Sequence, residues 1–476
     1  MEESLKKQTK KGIIWSAAQR FSTQGIQFVT TIIMARMLTP ADYGVIGMLD
    51  IFIAILSVFV DSGFINALTR KQDRTHTDIC TVFFFNIGIS ILAYCILFLI
   101  APFVASFYSI PELKIILRIL GLIVIIDSFA AVQITLMVIN LNFKTQTKIS
   151  IISLILSGAT GIVLAYLNYT YWALVIQSLL YGIISTSLYW YYSSWRPSLI
   201  FSKKSFNELF SFGSKILVTS LINAAYGNLY SLVIGKLFSA STLGNYSRAS
   251  SYAQFPSSNL TSILQRVTYP VLCKIQDDKT VLSNAYRELI RTSAFIIFPL
   301  MTGLSALSHP FIIVILGEKW NYCAVMLKII CFALMWYPIH AININLLLVK
   351  GRSDLLLRLE IIKKIIGIIV LCISVPWGIL ALCYSGILTS ILCLVINTYY
   401  TGKLIKVGFT RQMSDVSKSF IISITMWGVI LLINNFVDNY FLQMIIGIIV
   451  GAAFYFMVSY LFNKHELKYV LSLIRN

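Results

Sequence analysis

Fourteen stretches of 18 to 29 mostly apolar residues, separated by short polar breaks, run along this chain of 476 residues. A helix that crosses a bilayer needs about 20 such residues, and only helices or closed barrels satisfy their backbone hydrogen bonds in hydrocarbon. The spacing predicts spanning helices over 13–36, 42–67, 80–106, 113–139, 148–167, 170–192, 213–236, 242–265, 287–308, 321–349, 355–375, 377–401, 418–435 and 440–462. The second and eighth are the most polar. Charged residues make up 12% of the chain, half of the roughly 25% usual in soluble domains. The expected class is therefore an all-α integral membrane protein.

The formal charge of +19 does not describe a nucleic-acid binder, because the basic residues punctuate apolar runs instead of gathering on one polar surface. They carry topology instead. With the N-terminus cytoplasmic, inner segments collect Lys6, Lys7, Arg70, Lys71, Lys144, Arg196, Lys203, Arg266, Arg352, Lys403 and Lys468, while outer loops hold Arg36, Lys236 and Lys319. Both termini are thus expected in the cytoplasm of a multi-pass inner-membrane protein. The start, MEESLKKQTKKG, leads into a helix of full length without a small-residue cleavage site, so the first helix is expected to stay. The eight cysteines mostly fall in apolar segments with no C-x-x-C pair, which predicts neither metal nor disulfides. No connection is long enough for a globular domain, which argues against a built-in ATPase or a large outer catalytic domain, and so against an enzyme.

An internal repeat sets the organisation. "ARMLTPADYG" (35–44) matches "GKLFSASTLG" (235–244) at an offset of 200, pairing Arg36 with Lys236, Thr39 with Ser239 and Gly44 with Gly244; "RKQD" (70–73) resembles "KIQD" (274–277). Six helices separate the copies, so both face the same way, an arrangement transporters use to place a substrate site between two lobes. The expected domains are a six-helix lobe over 1–192, a cytoplasmic linker over 193–212, a second six-helix lobe over 213–401, and a helix pair with a cytoplasmic tail over 402–476.

Polar residues recur at helical spacing on the corresponding helices of the two copies. The first carries Ser16, Arg20, Gln24, Gln27 and Thr31, the second Asp50, Ser57 and Asp61, the seventh Thr219, Asn223 and Tyr230, and the eighth Ser241, Asn245, Arg248, Tyr252 and Asn259. A charge in mid-membrane costs at least about 2.5–3.5 kcal/mol, so such faces line a cavity or meet a partner. Arg20 and Arg248 suit an anionic substrate, since guanidinium grips phosphate through paired hydrogen bonds at any relevant pH. The alternative is structural, with Arg20 snorkelling or pairing with Asp61, and Arg248 pairing with Asp50. The candidate cavity set is Arg20, Gln24, Gln27, Asp50, Asn223, Asn245, Arg248 and Tyr252. Asp61 and Asp127 are ion-coupling or structural partners, with proton or sodium coupling left open and no other cofactor expected. His340, in "HAININ", either senses pH or is simply hydrogen-bonded.

The basic tail with "GIIWSAAQRF", then "ARMLTPADYGVIGM", and "QRVTYPVLCKIQDD" after the eighth helix, resembles bacterial polysaccharide transporters of the teichuronic acid and colanic acid exporter type. These sit with O-antigen flippases, the lipid II flippase and multidrug MATE antiporters in one superfamily. The resemblance implies a V-shaped, pseudo-twofold pair of six-helix bundles plus a C-terminal helix pair, alternating access, and export of an undecaprenyl-pyrophosphate-linked oligosaccharide. It further implies membrane lipid as a partner, glycosyltransferases and a polymerase of the same pathway, and a cavity role for Arg20 and Arg248 on matching helices. The last pair of helices forms a lipid-facing groove in the lipid II flippase. Two other readings stay open: a cation-coupled drug antiporter, which arginine-lined faces disfavour, and a membrane glycosyltransferase or polymerase, which short outer loops disfavour.

Overall fold

The computed structural model describes the backbone of residues 2–60 and 63–475, and their side chains other than those of residues 2–14, 16–18, 212, 266, 267 and 473–475. Asp61, one of the candidate residues, lies outside the described residues. The fold is all-helical, with no strand among the described residues. Contacts divide the chain into two units, one ending at Gly244 and the next starting at Asn245. The sequence reading placed its division at the linker 193–212; by contacts, the helices that follow the linker pack with the first unit.

The first unit holds α1 (Glu2–Met37), α2 (Pro40–Gly47), α3 (Asp50–Val60), α4 (Gly63–Arg70), α5 (His76–Tyr108), α6 (Leu113–Ile139), α7 (Phe143–Tyr166), α8 (Tyr171–Tyr192), α9 (Lys203–Gly227) and α10 (Leu229–Leu237), and ends in the first turn of α11 (Ala240–Lys274). The second continues with α12 (Lys279–Ala306), α13 (Ser308–Leu316), α14 (Asn321–Leu334), α15 (Tyr337–Val349), α16 (Ser353–Ser374), α17 (Ile379–Ile405), α18 (Phe409–Asn434), α19 (Tyr440–Phe462) and α20 (Lys464–Arg475). Among the described residues, eleven helical segments are long and apolar enough to cross a membrane. Three more, α1, α11 and α16, reach 36, 35 and 22 residues but carry polar and charged side chains. These three and the eleven are compatible with fourteen spans.

Side-chain chemistry fixes where helices start. Thr39 Oγ1 accepts from Asp42 N (3.3 Å) while the Asp42 carboxylate accepts from Thr39 N (2.8 Å), and Thr75 with Asp78 repeats the device at α5 (3.2 and 2.8 Å). Each such cap is worth about 1 kcal/mol. The stretch 309–320, which joins the ninth and tenth expected spans, is largely helical: α13 buries Pro310, Ile312 and Leu316, and a 3₁₀ turn at Glu318–Trp320 follows it. Nine residues are too few to span, which is why the segment reads as a connection.

The sequence repeat has a structural counterpart within the first unit. Ser239 Oγ accepts from Thr242 N (3.1 Å) at the start of α11, as Thr39 does at the start of α2. A Cβ on Gly44 would lie 1.7 Å from Ala240 O, and one on Gly244 would lie 1.8 Å from Pro40 O. Residues 40 and 44 of one copy therefore meet 244 and 240 of the other, the reciprocal contact that a twofold relation produces. Only glycine, lacking a Cβ, permits this approach.

In the second unit, a fully buried Gln412 of α18 ties four segments together. Its Nε2 lies 3.0 Å from Thr401 Oγ1, 3.1 Å from both Asn343 Oδ1 and Val407 O, and 3.3 Å from Tyr286 OH. Asn343 Nδ2 donates to Gln412 Oε1 in return (3.1 Å). Arg287 of α12 forms a two-pronged pair with Asp415 of α18, 2.7 Å at each prong.

Candidate functional site

Contacts with α7 define the faces of α1. Thr147 Oγ1 donates to Trp15 O (3.4 Å), Gln19 Nε2 donates to Ser150 Oγ (3.4 Å), and a Cβ on Gly158 would meet the Thr30 methyl at 3.0 Å. Each residue turns a helix by about 100°, so Arg20, Gln24 and Gln27 stand on an adjoining side. Arg20 and Gln24 are half-buried and Gln27 is exposed. The remaining first-unit candidates are exposed: Asp50 at the start of α3, Asp127 on α6 beside Gly182 of α8, and Asn223 on α9.

The second unit carries the other three within eight residues of α11. Asn245 and Tyr252 are buried, the Tyr252 ring standing edge-on to Phe311 of α13 at 5.7 Å. Arg248 is half-buried beside the fully buried Ala249. Further along, Ser257 Oγ donates to Leu334 O (2.9 Å), which anchors this face of α11 on α14. Arg248 stands on the same stripe, half-buried and with its Nε enclosed, between the buried Asn245 and Tyr252.

His340 takes the hydrogen-bonded form. Its Nε2 lies 3.1 Å from Ser390 Oγ and its Nδ1 3.1 Å from Asn397 Nδ2. Ser390 Oγ in turn donates to Ala333 O (3.0 Å). With the Ser390 proton committed, the imidazole Nε2–H donates to that hydroxyl and Nδ1 accepts from the Asn397 amide.

The second unit also carries a feature absent from the set of candidate residues. An apolar groove of about 520 Å³ runs between α12, α13, α18, α19 and α20, walled by Phe295, Leu300, Met426, Ile448, Phe456 and Leu471 among others. Among the described residues no charged side chain lines it. The Tyr455 hydroxyl donates to Phe295 O (2.8 Å), so its polar end is satisfied by backbone. Gly447 and Gly451 let α19 close on its neighbours: a Cβ would stand 2.5 Å from Leu307 at the first and 2.8 Å from Ile430 at the second. The G-x-x-x-G spacing of "GIIVG" is the sequence signal for that close approach. Beside α20, Arg291 lies 3.7 Å from Asp415 and 3.8 Å from Glu466.

The described geometry has relatives. A model of the family described as "Polysaccharide biosynthesis protein" matches residues 33–325. The teichuronic acid biosynthesis protein TuaB of Bacillus subtilis (strain 168) is 25% identical over 459 residues, 95% of each chain. The lipopolysaccharide biosynthesis protein WzxC of Escherichia coli (strain K12) is 27% identical over 373 residues, covering 77% of this chain and 75% of that one. Among solved structures, the lipid II flippase MurJ in an inward closed conformation superposes with a TM-score of 0.76 at 17% identity, over 95% of this chain and 99% of that one. An inward-facing multidrug resistance MATE family transporter gives 0.61 at 15% identity, over 80% and 96%. These two establish a shared transporter fold.

Proposed function

The chain belongs to the polysaccharide biosynthesis protein family, and from that premise we propose that it translocates an undecaprenyl-pyrophosphate-linked oligosaccharide across the bacterial inner membrane by alternating access, with both termini cytoplasmic. The observation that carries the reading is the pairing of two unlike features in one membrane protein. Half-buried arginines stand on two long helices, Arg20 on α1 and Arg248 on α11, and a groove with no charged lining among the described residues is cut into α12, α18 and α19. An amphiphile with an anionic head and a long hydrocarbon tail requires both.

In this reading Arg20 receives the pyrophosphate through paired hydrogen bonds, and Arg248 holds it at the later stage. Gln24, Gln27 and Asn223 offer amide donors and acceptors to sugar hydroxyls, replacing the water that the glycan loses. The polyprenyl tail follows the groove. Each methylene kept out of water there contributes about 0.8 kcal/mol, although bilayer hydrocarbon offers nearly the same, so the groove guides the tail more than it holds it. Asp50 and Asp127, exposed within spanning helices, are carried as coupling or structural carboxylates. Glycosyltransferases and a polymerase that make and consume the lipid-linked unit are its proposed partners.

Binding tests the reading directly. Purified full-length protein is expected to retain an undecaprenyl-pyrophosphate oligosaccharide through detergent exchange, as measured by native mass spectrometry, and to lose it on Arg20→Ala. Retention of an organic cation in place of the lipid would move the chain to the drug-antiporter reading.

A further inference from the structure

The last helix segregates its charges in a way that the transport reading does not use. α20 starts one residue after α19 ends, with only Asn463 between them, so it emerges at the membrane surface. Its exposed residues, Lys464, His465, Lys468, Leu471 and Ser472, fall at i, i+1, i+4, i+7 and i+8 and form one face. The single carboxylate of the helix, Glu466, is turned the other way, 13% exposed, with Oε1 3.8 Å from Arg291 of α12. Leu467 and Val470 face inward too, and together with Leu471 they wall the apolar groove. Asn463 completes the attachment, its Nδ2 donating to Ser419 Oγ at 3.1 Å.

We propose that α20 is a flap on the groove operated by anionic phospholipid. Its outward face presents Lys464 and Lys468, while Leu467, Val470 and the rim residue Leu471 lie along the groove, the segregation of an interfacial amphipathic helix. Its inward face is attached by the long Glu466–Arg291 pair and by the packing of Leu467 and Val470, with the Asn463 hydrogen bond just before its start. The one acidic side chain of α20 is spent on Arg291, and Glu288 of α12 lies with it on the side of His465 and Tyr469. Lys464 lies over the Tyr460 ring at 5.0 Å, which holds its ammonium at the junction of α19 and α20. A negatively charged lipid surface draws α20 outward through Lys464 and Lys468. It competes with the Glu466–Arg291 pair, and release of that pair removes Leu467, Val470 and Leu471 from the groove wall. Bilayer charge thereby sets how often the groove is open at this end. What enters it rests on the transport reading; the flap itself does not.

The test needs no transported substrate. A fluorescent amino acid is placed at Ser472, on the exposed face, in the full chain reconstituted into phosphatidylcholine nanodiscs with rising phosphatidylglycerol, and its quenching by nitroxide-headgroup lipid is followed. Quenching is expected to rise with phosphatidylglycerol. Lys464→Gln and Lys468→Gln should each raise the half-saturating content about fivefold, since a lysine near an anionic surface gains about that factor. Glu466→Gln should shift it the opposite way, because the ion pair with Arg291 is lost. Quenching that ignores phosphatidylglycerol, or lysine variants with unchanged midpoints, overturns the lipid partner. A Glu466→Gln midpoint equal to wild type overturns the competing attachment. A protein that passes this test yet moves no lipid-linked glycan would leave the flap standing and remove the transport reading.

Discussion

Gly44→Ala tests the reciprocal corner on which the internal repeat rests. The added Cβ would stand 1.7, 2.4 and 2.9 Å from the O, C and Cα atoms of Ala240. All three are backbone atoms, so no side chain can swing aside. To reach even the 3.0 Å closest approach that real Cβ atoms show, the two corners must part by at least 1.3 Å. Overpacking of this kind costs about 1–3 kcal/mol, and the upper end applies where backbone must move. Alanine regains up to about 1 kcal/mol through its helix propensity, leaving a net loss of about 2 kcal/mol. For a unit of this size that lowers the melting temperature by about 4–8 °C. Gly244→Ala, whose Cβ would lie 1.8 Å from Pro40 O, should behave alike. Gly25→Ala in α1 is the control: nothing lies within 4 Å of its Cβ, so it should hold or raise stability. Thermal unfolding of detergent-purified proteins, followed by size-exclusion fluorescence, makes the comparison. A Gly44→Ala protein as stable as Gly25→Ala would refute the interlocked corner.

Other consequences follow from the same geometry. Gln412→Leu removes one hydrogen bond each from Val407 O and both ends of the Asn343 amide, which keep Thr401 Oγ1 and Ile339 O as partners, and should cost about 1–3 kcal/mol in thermal or denaturant unfolding. Arg287→Met strands the 5%-exposed Asp415 with only Arg291 at 3.7 Å; a loss of about 3 kcal/mol is expected, and Arg287→Met with Asp415→Leu should recover more than half of it. Ala452→Trp, which fills the groove, should slow translocation of a long-chain polyprenyl substrate but not of a short-chain analogue; equal slowing of both would separate the groove from the tail. Lys71, in the loop after α4, is held above the ordinary lysine value of 10.5 chiefly by its hydrogen bond to Glu208 and, against partial burial, by Asp78. Its contribution is therefore fully present below that ordinary value and lost as pH rises through the elevated one, so the stability deficit of Lys71→Met should be constant at neutral pH and vanish only in strong alkali.

Spanning helices were legible because a bilayer imposes length and apolarity on each segment independently, whereas the caps at Thr39 and Thr75 became evident only with the structure. The corner at Gly44 was legible as an offset repeat, since the two copies conserve a Ser/Thr cap and a glycine five residues later. Periodicity placed Arg20, Gln24 and Gln27 on one side of α1, and that side adjoins the face that packs on α7. Periodicity could not distinguish a packed polar residue from an accessible one. Asn245 and Tyr252 share a stripe with Arg248, yet both are buried where it is half-buried, Tyr252 against Phe311 of α13 in a distant part of the chain. A groove at the last helix pair was suggested only by the resemblance, not by a residue pattern: its walls are ordinary apolar residues of five helices, and the G-x-x-x-G of α19 signals no more than close packing. The helix α20 reads as a polar tail until its three inward residues, Glu466, Leu467 and Val470, are seen to have partners.

The central claim is tested most directly by transbilayer movement of a fluorescent undecaprenyl-pyrophosphate oligosaccharide in proteoliposomes, comparing wild type with Arg20→Ala and Arg248→Ala at matched reconstitution. The account predicts that wild type moves the lipid, and that each substitution, in a protein that remains folded, lowers the initial rate at least about tenfold, the loss that accompanies removal of a charge-assisted hydrogen bond worth about 1.5 kcal/mol or more. Wild-type protein that moves no lipid-linked glycan, or arginine variants that move it at the wild-type rate, would contradict it.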